Sequence, residues 1–483
     1  MACSHWFDGF TTTHKFRIYQ DEHGNPSVNY SSYCQVDDLI ENARKTGRLD
    51  GITFGQKRDP CDTFYRKVKT VFDPVLPAGP TTSNVGVTIR HPVPSELERA
   101  QDLGISTDRP LMIASTDNRT NKLLDAATLE PLGIVTQQDL HPALKGPMSG
   151  AHAAKDPKTG DVFNYNLEFG AIITYRVFRA SATGKVDILA EISGRDIRGA
   201  YIHSMSLTEN FVILCIWPAY FDANGIPILW KRNILDAISP FDNKAKATWL
   251  VIDRHHSKGV VRKFKSEAFF CFHTTNAWEE HSSSDPDSVD IICELVQFRN
   301  TDILHKFYYD NMVSDSPKVS SFLKSRTDDT RPALARYELR GVPLRKRGSG
   351  LTSCGTAPLT MKLPSGDLPC INPRFATKPH RFVWSVLDRG KSSFLDGLGK
   401  ADTQDGSRVV WEKTNHTPSE PIFVPAPDAQ AEDEGVILTT VFDGDSGSTY
   451  LLCLNAMDMT ELGRANVGRP VGFGFHGVHV PDA

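Results

Sequence analysis

From about residue 110 to the C-terminus the chain repeats one local pattern: a short alternating or wholly apolar run, a turn, then another run. Residues 111–116 are followed by 118–123, and residues 163–167 and 170–179 by the turn Ala182-Thr183-Gly184-Lys185 and then 186–192. Residues 211–218 precede Asp222-Ala223-Asn224-Gly225, and 435–441, 449–455 and 463–467 close the series around a turn at 443–447. Period-two patterning punctuated by glycine and Asn-Gly, which supply the positive φ a hairpin needs, predicts antiparallel strands throughout. Meanders of this spacing, sustained over more than half of 483 residues, predict a single all-β domain over 1–483, a propeller in preference to one sandwich. One helix is expected: Asp37-Asp38 opens it, Leu39, Ile40 and Ala43 give it an apolar face, and Lys45 and Gly47 close it.

Charge and composition narrow the function. Fifty-four basic side chains against 58 acidic ones leave a net charge of −4, without the basic excess that phosphate neutralisation requires, so nucleic acid is not an expected partner. No apolar run reaches the roughly 18 residues of a membrane span, and the N-terminal residues have neither a basic nor an apolar leader segment. A cytoplasmic chain is the expectation. Nine cysteines without a Cys-x-x-Cys pair point to reduced thiols instead of a disulfide framework or zinc knuckle.

Three motifs have the spacing of active sites without the context. Gly444-Asp445-Ser446-Gly447 matches a serine-protease nucleophile segment but falls at a predicted hairpin tip. Gly472-Phe473-Gly474-Phe475-His476-Gly477 fits G-x-G-x-x-G, yet no strand-to-helix unit surrounds it. Arg345-Lys346-Arg347 reads as a solvated loop. Among sixteen histidines none forms a helical i, i+4 metal pair, but His152, His203, His273 and His476 each sit in or beside an apolar, strand-like segment. Each alone reads as a hydrogen-bonded core residue. Together they could meet only where strands from different sheets converge, and a propeller axis is such a place.

At these histidines the sequence resembles the carotenoid cleavage oxygenase family over nearly its whole length. The matching blocks, in the family's order, are Trp6-Phe7-Asp8-Gly9 with His14-Lys15-Phe16; Ala151-His152 with Asp156-Pro157; His203-Ser204 with Leu207-Thr208-Glu209-Asn210; Val251-Ile252-Asp253-Arg254-His255; Phe272-His273 with Asn276-Ala277-Trp278-Glu279-Glu280; Pro418-Ser419-Glu420-Pro421-Ile422-Phe423-Val424; and Phe473-Gly474-Phe475-His476-Gly477. The resemblance implies a seven-bladed β-propeller with a few helical and loop insertions forming a cap over one Fe(II), held by His152, His203, His273 and His476. It implies second-layer carboxylates at Glu420 for His476, Asp117 for His203 and Asp367 for His273. Aspartate is shorter than the glutamate more usual in the family, so a backbone shift or a bridging water is expected at the last two. O2 is the implied cosubstrate, and the implied reaction splits a conjugated double bond into two carbonyl products.

Further blocks, such as Val36-Asp37-Asp38-Leu39-Ile40 and Asn84-Val85-Gly86-Val87-Thr88, resemble the fungal branch, which cuts β-carotene or torulene in some members and hydroxystilbenes in others. Stilbene cleavers carry a lysine beside the first carboxylate and a tyrosine upstream. Here Thr116 precedes Asp117 and residues 82–89 hold no tyrosine, which favours a carotenoid or apocarotenoid, with a stilbene as the alternative. A long apolar polyene comes from a bilayer, which implies an apolar rim at the tunnel mouth, with 72–80 as a candidate, and peripheral membrane contact. The family also carries a further segment before the Trp-Phe-Asp-Gly block, whereas Trp6 stands close to Met1. An incomplete first blade is therefore expected, and with it a third reading, a catalytically silent propeller.

Overall fold

The computed structural model describes residues 3–49, 51–57, 78–256, 259–283, 285–313, 319, 329–344 and 354–481. Among the described residues there are six sheets of four or five strands and one separate two-stranded hairpin, with few and short helices. Each sheet is built almost entirely from consecutive antiparallel strands, as the run–turn–run pattern predicts. Sheet I contains Thr88–Arg90, Leu111–Ser115, Thr120–Asp125 and Pro131–Thr136; sheet II runs from Met148–Ser149 to Val186–Ser193. Sheet III begins at Ser206–Leu207, continues through Phe211–Ile216, Lys246–Asp253 and Val260–Glu267, and takes a late parallel strand, Gly355–Thr356. Sheet IV holds Phe270–His281, Ser288–Phe298, Ala333–Pro343 and Leu359–Pro364; sheet V runs from Asp367–Cys370 to Arg408–Trp411, and sheet VI from His416–Pro418 to Glu461–Asn466.

The hydrophobic core lies between neighbouring sheets. One buried cluster runs from Phe163 and Tyr175 of sheet II through Trp217 and Trp249 to Phe270 and Leu295 of sheet IV, and a second joins Trp384 of sheet V to Ile437 and Leu452 of sheet VI. The inner strands are apolar on both faces, as in Phe211–Ile216, where all six residues are buried.

The expected helix forms at Asp37–Thr46 and ends on Gly47 at φ 71. A second helix, Pro94–Asp102, has its own start signals, a proline in the first turn and Glu96, whose carboxylate accepts the Val93 amide at 3.0 Å. The turn at Asp222–Gly225 differs from expectation. It does not close a hairpin; Asn224 and Gly225 adopt positive φ, and the chain passes through the short helix Pro227–Lys231 before re-entering sheet III. Gly444-Asp445-Ser446-Gly447 is the predicted hairpin tip, with the Ser446 hydroxyl donated to Asp443. Gly472–Gly477 contains no helix, and Arg345-Lys346-Arg347 and most of 72–80 lie outside the described residues.

The hairpin Thr12–Gln20 with Pro26–Cys34 lies between the last sheet and the first. Arg469, just beyond sheet VI, donates to Ser32 Oγ at 2.7 Å, while Lys15 Nζ donates to the Ala126 carbonyl of sheet I at 2.8 Å. Lys122, wholly buried in sheet I, donates to the Gln35 carbonyl at 3.0 Å.

Candidate metal centre

The strands that open sheets II, III and IV are tied to one another where three of the histidines sit. The His152 amide donates to the His203 carbonyl at 3.1 Å, Ser204 Oγ donates to the Phe272 carbonyl at 2.6 Å, and the Thr274 amide donates back to Ser204 Oγ at 2.9 Å. His273 lies where the pairing of Phe270–His281 with its neighbour slips register, an irregularity that re-aims a side chain. His476 comes from the extended C-terminal segment, which is docked on sheet VI by Glu420 N–H to the Gly474 carbonyl (3.2 Å) and Gly474 N–H to Ser419 Oγ (3.0 Å). All four imidazoles therefore meet although they are far apart in sequence. One ring nitrogen from each lies within 4.8 Å of the other three.

The three carboxylates stand behind three of these rings. His203 Nδ1 is 2.7 Å from Asp117 Oδ1, His273 Nδ1 is 2.7 Å from Asp367 Oδ1, and His476 Nδ1 is 2.8 Å from Glu420 Oε1. The short aspartate arms reach their rings directly at 2.7 Å, so of the two expected compensations, a backbone shift or a bridging water, no bridge is needed. An ionised carboxylate can only accept, so each Nδ1 carries the proton and each Nε2 is left with its lone pair facing inward. Each carboxylate is itself held by a second donor: Tyr201 hydroxyl to Asp117 at 2.8 Å, Gly477 amide to Glu420 at 2.7 Å, and the Leu368 amide to Asp367. Gly477 has little room for a side chain, since a Cβ there would come within 2.7 Å of Ile422 Cδ1.

The electrostatics favour the neutral form at two of the four rings. Burial, reinforced by the three other imidazoles, pushes His152 well below the usual histidine range, and burial lowers His273 despite the opposing pull of Asp367. Burial opposes ionisation of Asp367, but its contact and hydrogen bond with His273 and the Leu368 amide keep its carboxyl below the ordinary value. His152 Nε2 lies 3.0 Å and His273 Nε2 3.3 Å from His476 Nε2. Two nitrogens each about 2.1 Å from one ion, at right angles, would be about 3.0 Å apart, so the donor set fits a single transition metal ion.

A cavity of about 2530 Å³ opens on this cluster, and its inner wall is largely aromatic: Phe7, Phe54, Tyr201, Phe272, Phe307 and Phe475. The Trp6 ring packs against Phe475, the residue before His476, with centroids 4.2 Å apart and planes inclined by 36°. The segment carrying Trp6 and Phe7 is fixed by Asp8, which accepts the amides of Phe54 and Gly55 at 2.6 and 2.8 Å. Tyr201 was absent from the residues expected at the site. Its position two residues before His203 on an extended segment, where i and i+2 share a face, was the available signal.

A β-propeller carrying four converging imidazoles at the inner ends of its sheets is thus defined by fold and site together. The family profile described as retinal pigment epithelial membrane protein, RPE65, matches residues 1–481, and the chain belongs to this carotenoid oxygenase family. It is 40 % identical to a carotenoid dioxygenase of Neurospora crassa over 99 % of this chain and 83 % of that protein. It is equally 40 % identical to a torulene dioxygenase of Gibberella fujikuroi, over 99 % and 85 %. A Synechocystis apocarotenoid oxygenase variant superposes with a TM-score of 0.72 at 18 % identity, covering 99 % of this chain and 88 % of that one, a likeness of fold.

Proposed function

We propose that the protein is a non-haem iron(II) dioxygenase that cleaves one C=C bond of a carotenoid or apocarotenoid, of the torulene or β-carotene type, into two aldehydes. The observation that carries the reading is the set of four inward-facing imidazoles, three backed by carboxylates, at the end of an aromatic cavity, in a chain 40 % identical to carotenoid and torulene dioxygenases. His152, His203, His273 and His476 are the metal ligands, and Asp117, Asp367 and Glu420 fix three of their rings. Iron(II), when bound, supplies the activation of dioxygen by which both oxygen atoms enter the two carbonyl products.

The chain's own residues do the rest. Asp117, Asp367 and Glu420 hold protons on Nδ1 and so keep the opposite nitrogens free to ligate; such outer partners are worth about 10–100-fold in metal affinity or activity. The aromatic wall excludes water and confines a flat polyene, leaving one bond against the metal. No acid–base pair is required, and Glu279, which follows His273 in sequence, is engaged elsewhere, accepting from Thr208, Asn210 N and Asn210 Nδ2.

The same reading makes residues 1–483 one propeller domain, with the hairpin of Thr12–Cys34 as its incomplete first blade. Its support is the hairpin's place between sheets VI and I, bridged by Arg469 and Lys15. Peripheral membrane attachment belongs to it too. Ile172 (65 % exposed), Leu229 (61 %), Ile226 and Trp230 cluster where the loop at 169–172 meets 222–231, and Ile172's neighbour Ala171 and Leu229 border the cavity. An exposed apolar group at a cavity mouth suits delivery of substrate from a bilayer. No described helix is long and apolar enough to cross a membrane.

The test is elemental analysis of the purified protein together with O2-dependent bleaching of torulene, β-carotene and an apocarotenal in detergent, resveratrol being run in parallel. Near-stoichiometric iron and aldehyde products from a polyene are expected. Turnover of resveratrol alone would move the substrate assignment to stilbenes, and a folded protein that binds iron without turnover would make it a silent propeller.

A further inference from the structure

A second group of metal-type donors stands in sheet VI and shares no residue with the four-histidine centre. His416 opens the strand His416–Pro418 and pairs directly across from Asp443, the last residue of Gly435–Asp443. Asp445 follows in the hairpin tip, and donor atoms of His416, Asp443 and Asp445 all lie within 4.8 Å of one another. The carboxylates alone have an ordinary explanation. Asp443 accepts the Asp445 amide (2.9 Å), the Ser446 amide and the Ser446 hydroxyl (3.0 Å), and Asp445 accepts from Asn415 Nδ2 at 2.7 Å, as turn residues do.

Turn geometry does not account for the histidine. Its side chain is 1 % exposed, and its Nδ1 lies 2.7 Å from the Thr414 carbonyl. A carbonyl only accepts, so Nδ1 bears a proton, and in the neutral ring Nε2 is a bare lone pair. That Nε2 is buried, has no hydrogen-bond partner, and faces Asp443 Oδ1 at 3.7 Å. A buried lone pair facing a half-buried carboxylate oxygen needs something positive between or beside them, either a second ring proton or a cation. Arg464, which stacks over the neighbouring Tyr450 ring, does not serve, because Glu461 takes it through both oxygens at 2.6 Å. The histidine tautomer is the one a metal-ligating imidazole adopts when its other nitrogen is fixed on a backbone carbonyl.

We propose that His416 Nε2, Asp443 and Asp445 bind a divalent ion of the zinc class, one imidazole and two carboxylates with water completing the shell, pinning the first strand of sheet VI to its hairpin tip. One nitrogen and two oxygens form a borderline donor set, which suits zinc better than calcium or magnesium.

The experiment titrates Zn(II) into the iron-loaded protein and into its Asp445→Asn and His416→Gln variants, following bound zinc by elemental analysis after gel filtration, heat of binding by calorimetry, and retained iron. Asp445 is exposed, so its variant is expected to fold whether or not the buried His416 tolerates replacement. The native protein should take up one zinc that Asp445→Asn binds roughly tenfold or more weakly, with iron content and polyene bleaching unchanged. Equal uptake by the native protein and Asp445→Asn would overturn the proposal, even if iron itself were lost. So would a His416 ring that titrates as an imidazolium by NMR in a protein taking up no zinc at this site.

Discussion

The centre of the propeller and the mouth of its cavity are built on opposite principles. At the centre the polar contacts are directional: three Nδ1 protons on three carboxylates, each carboxylate on a second donor, and four nitrogens within 4.8 Å. At the mouth the conspicuous side chains are Ile172, Ile226, Leu229 and Trp230, exposed and without polar direction. Directional contacts between few atoms fix a metal to within tenths of an ångström, whereas an apolar rim needs only area. Substitutions should therefore act in different currencies: metal affinity and turnover at the centre, delivery of substrate at the mouth.

The sharpest break is His203→Ala or His476→Ala. Either should reduce bound iron from about one per chain to a small fraction and abolish bleaching, since a ligand is lost outright. Asp367→Asn keeps the shape but removes the charge that fixes the His273 tautomer, and should cost about 10–100-fold in iron affinity or turnover, read by chelator competition and steady-state kinetics. At the mouth, Leu229→Glu with Trp230→Glu should weaken co-sedimentation with liposomes several-fold and raise KM for liposome-borne substrate while kcat in detergent stays as it was. If the double substitution lowered kcat in detergent instead, the division between the two regions would fail.

The smallest effect expected is on stability against pH. His5 anchors the segment that carries Trp6 and Phe7, donating from Nε2 to the Leu304 carbonyl at 2.8 Å and accepting the Phe7 amide at Nδ1. Burial drives it from 6.5 down to about 4. Its neutral form is the native one, so the unfolded chain binds a proton more readily, and stability should fall as the pH drops from about 6.5 towards 4. The contribution is at most about 3 kcal/mol, a few degrees in the melting midpoint of a chain this long, and His5→Gln should flatten that slope.

Much of the centre was legible beforehand. His152, His203, His273 and His476 stand in local blocks that the family resemblance orders, and Asp117, Asp367 and Glu420 each fall behind the ring expected. Strand texture was legible for the same local reason, a period of two with glycine stops. Contacts made across the fold were not. The packing of Trp6 against Phe475 joins segments whose separation leaves no periodic trace. The Asp222–Gly225 turn looked like a hairpin because Asn-Gly at positive φ serves hairpins and helix entries alike. Pro94–Asp102 could have been read from its proline start and Glu96. The count of blades was beyond the sequence pattern, because the hairpin Thr12–Cys34 looks locally like any other.

The central claim is that four imidazoles hold one iron against a polyene. It is tested most directly by measuring iron content and O2-dependent torulene cleavage side by side in the native protein and in His203→Ala. One iron per chain with aldehyde products in the first, and neither in a folded second, is the predicted result; aldehyde formation that persists in iron-free His203→Ala would contradict it.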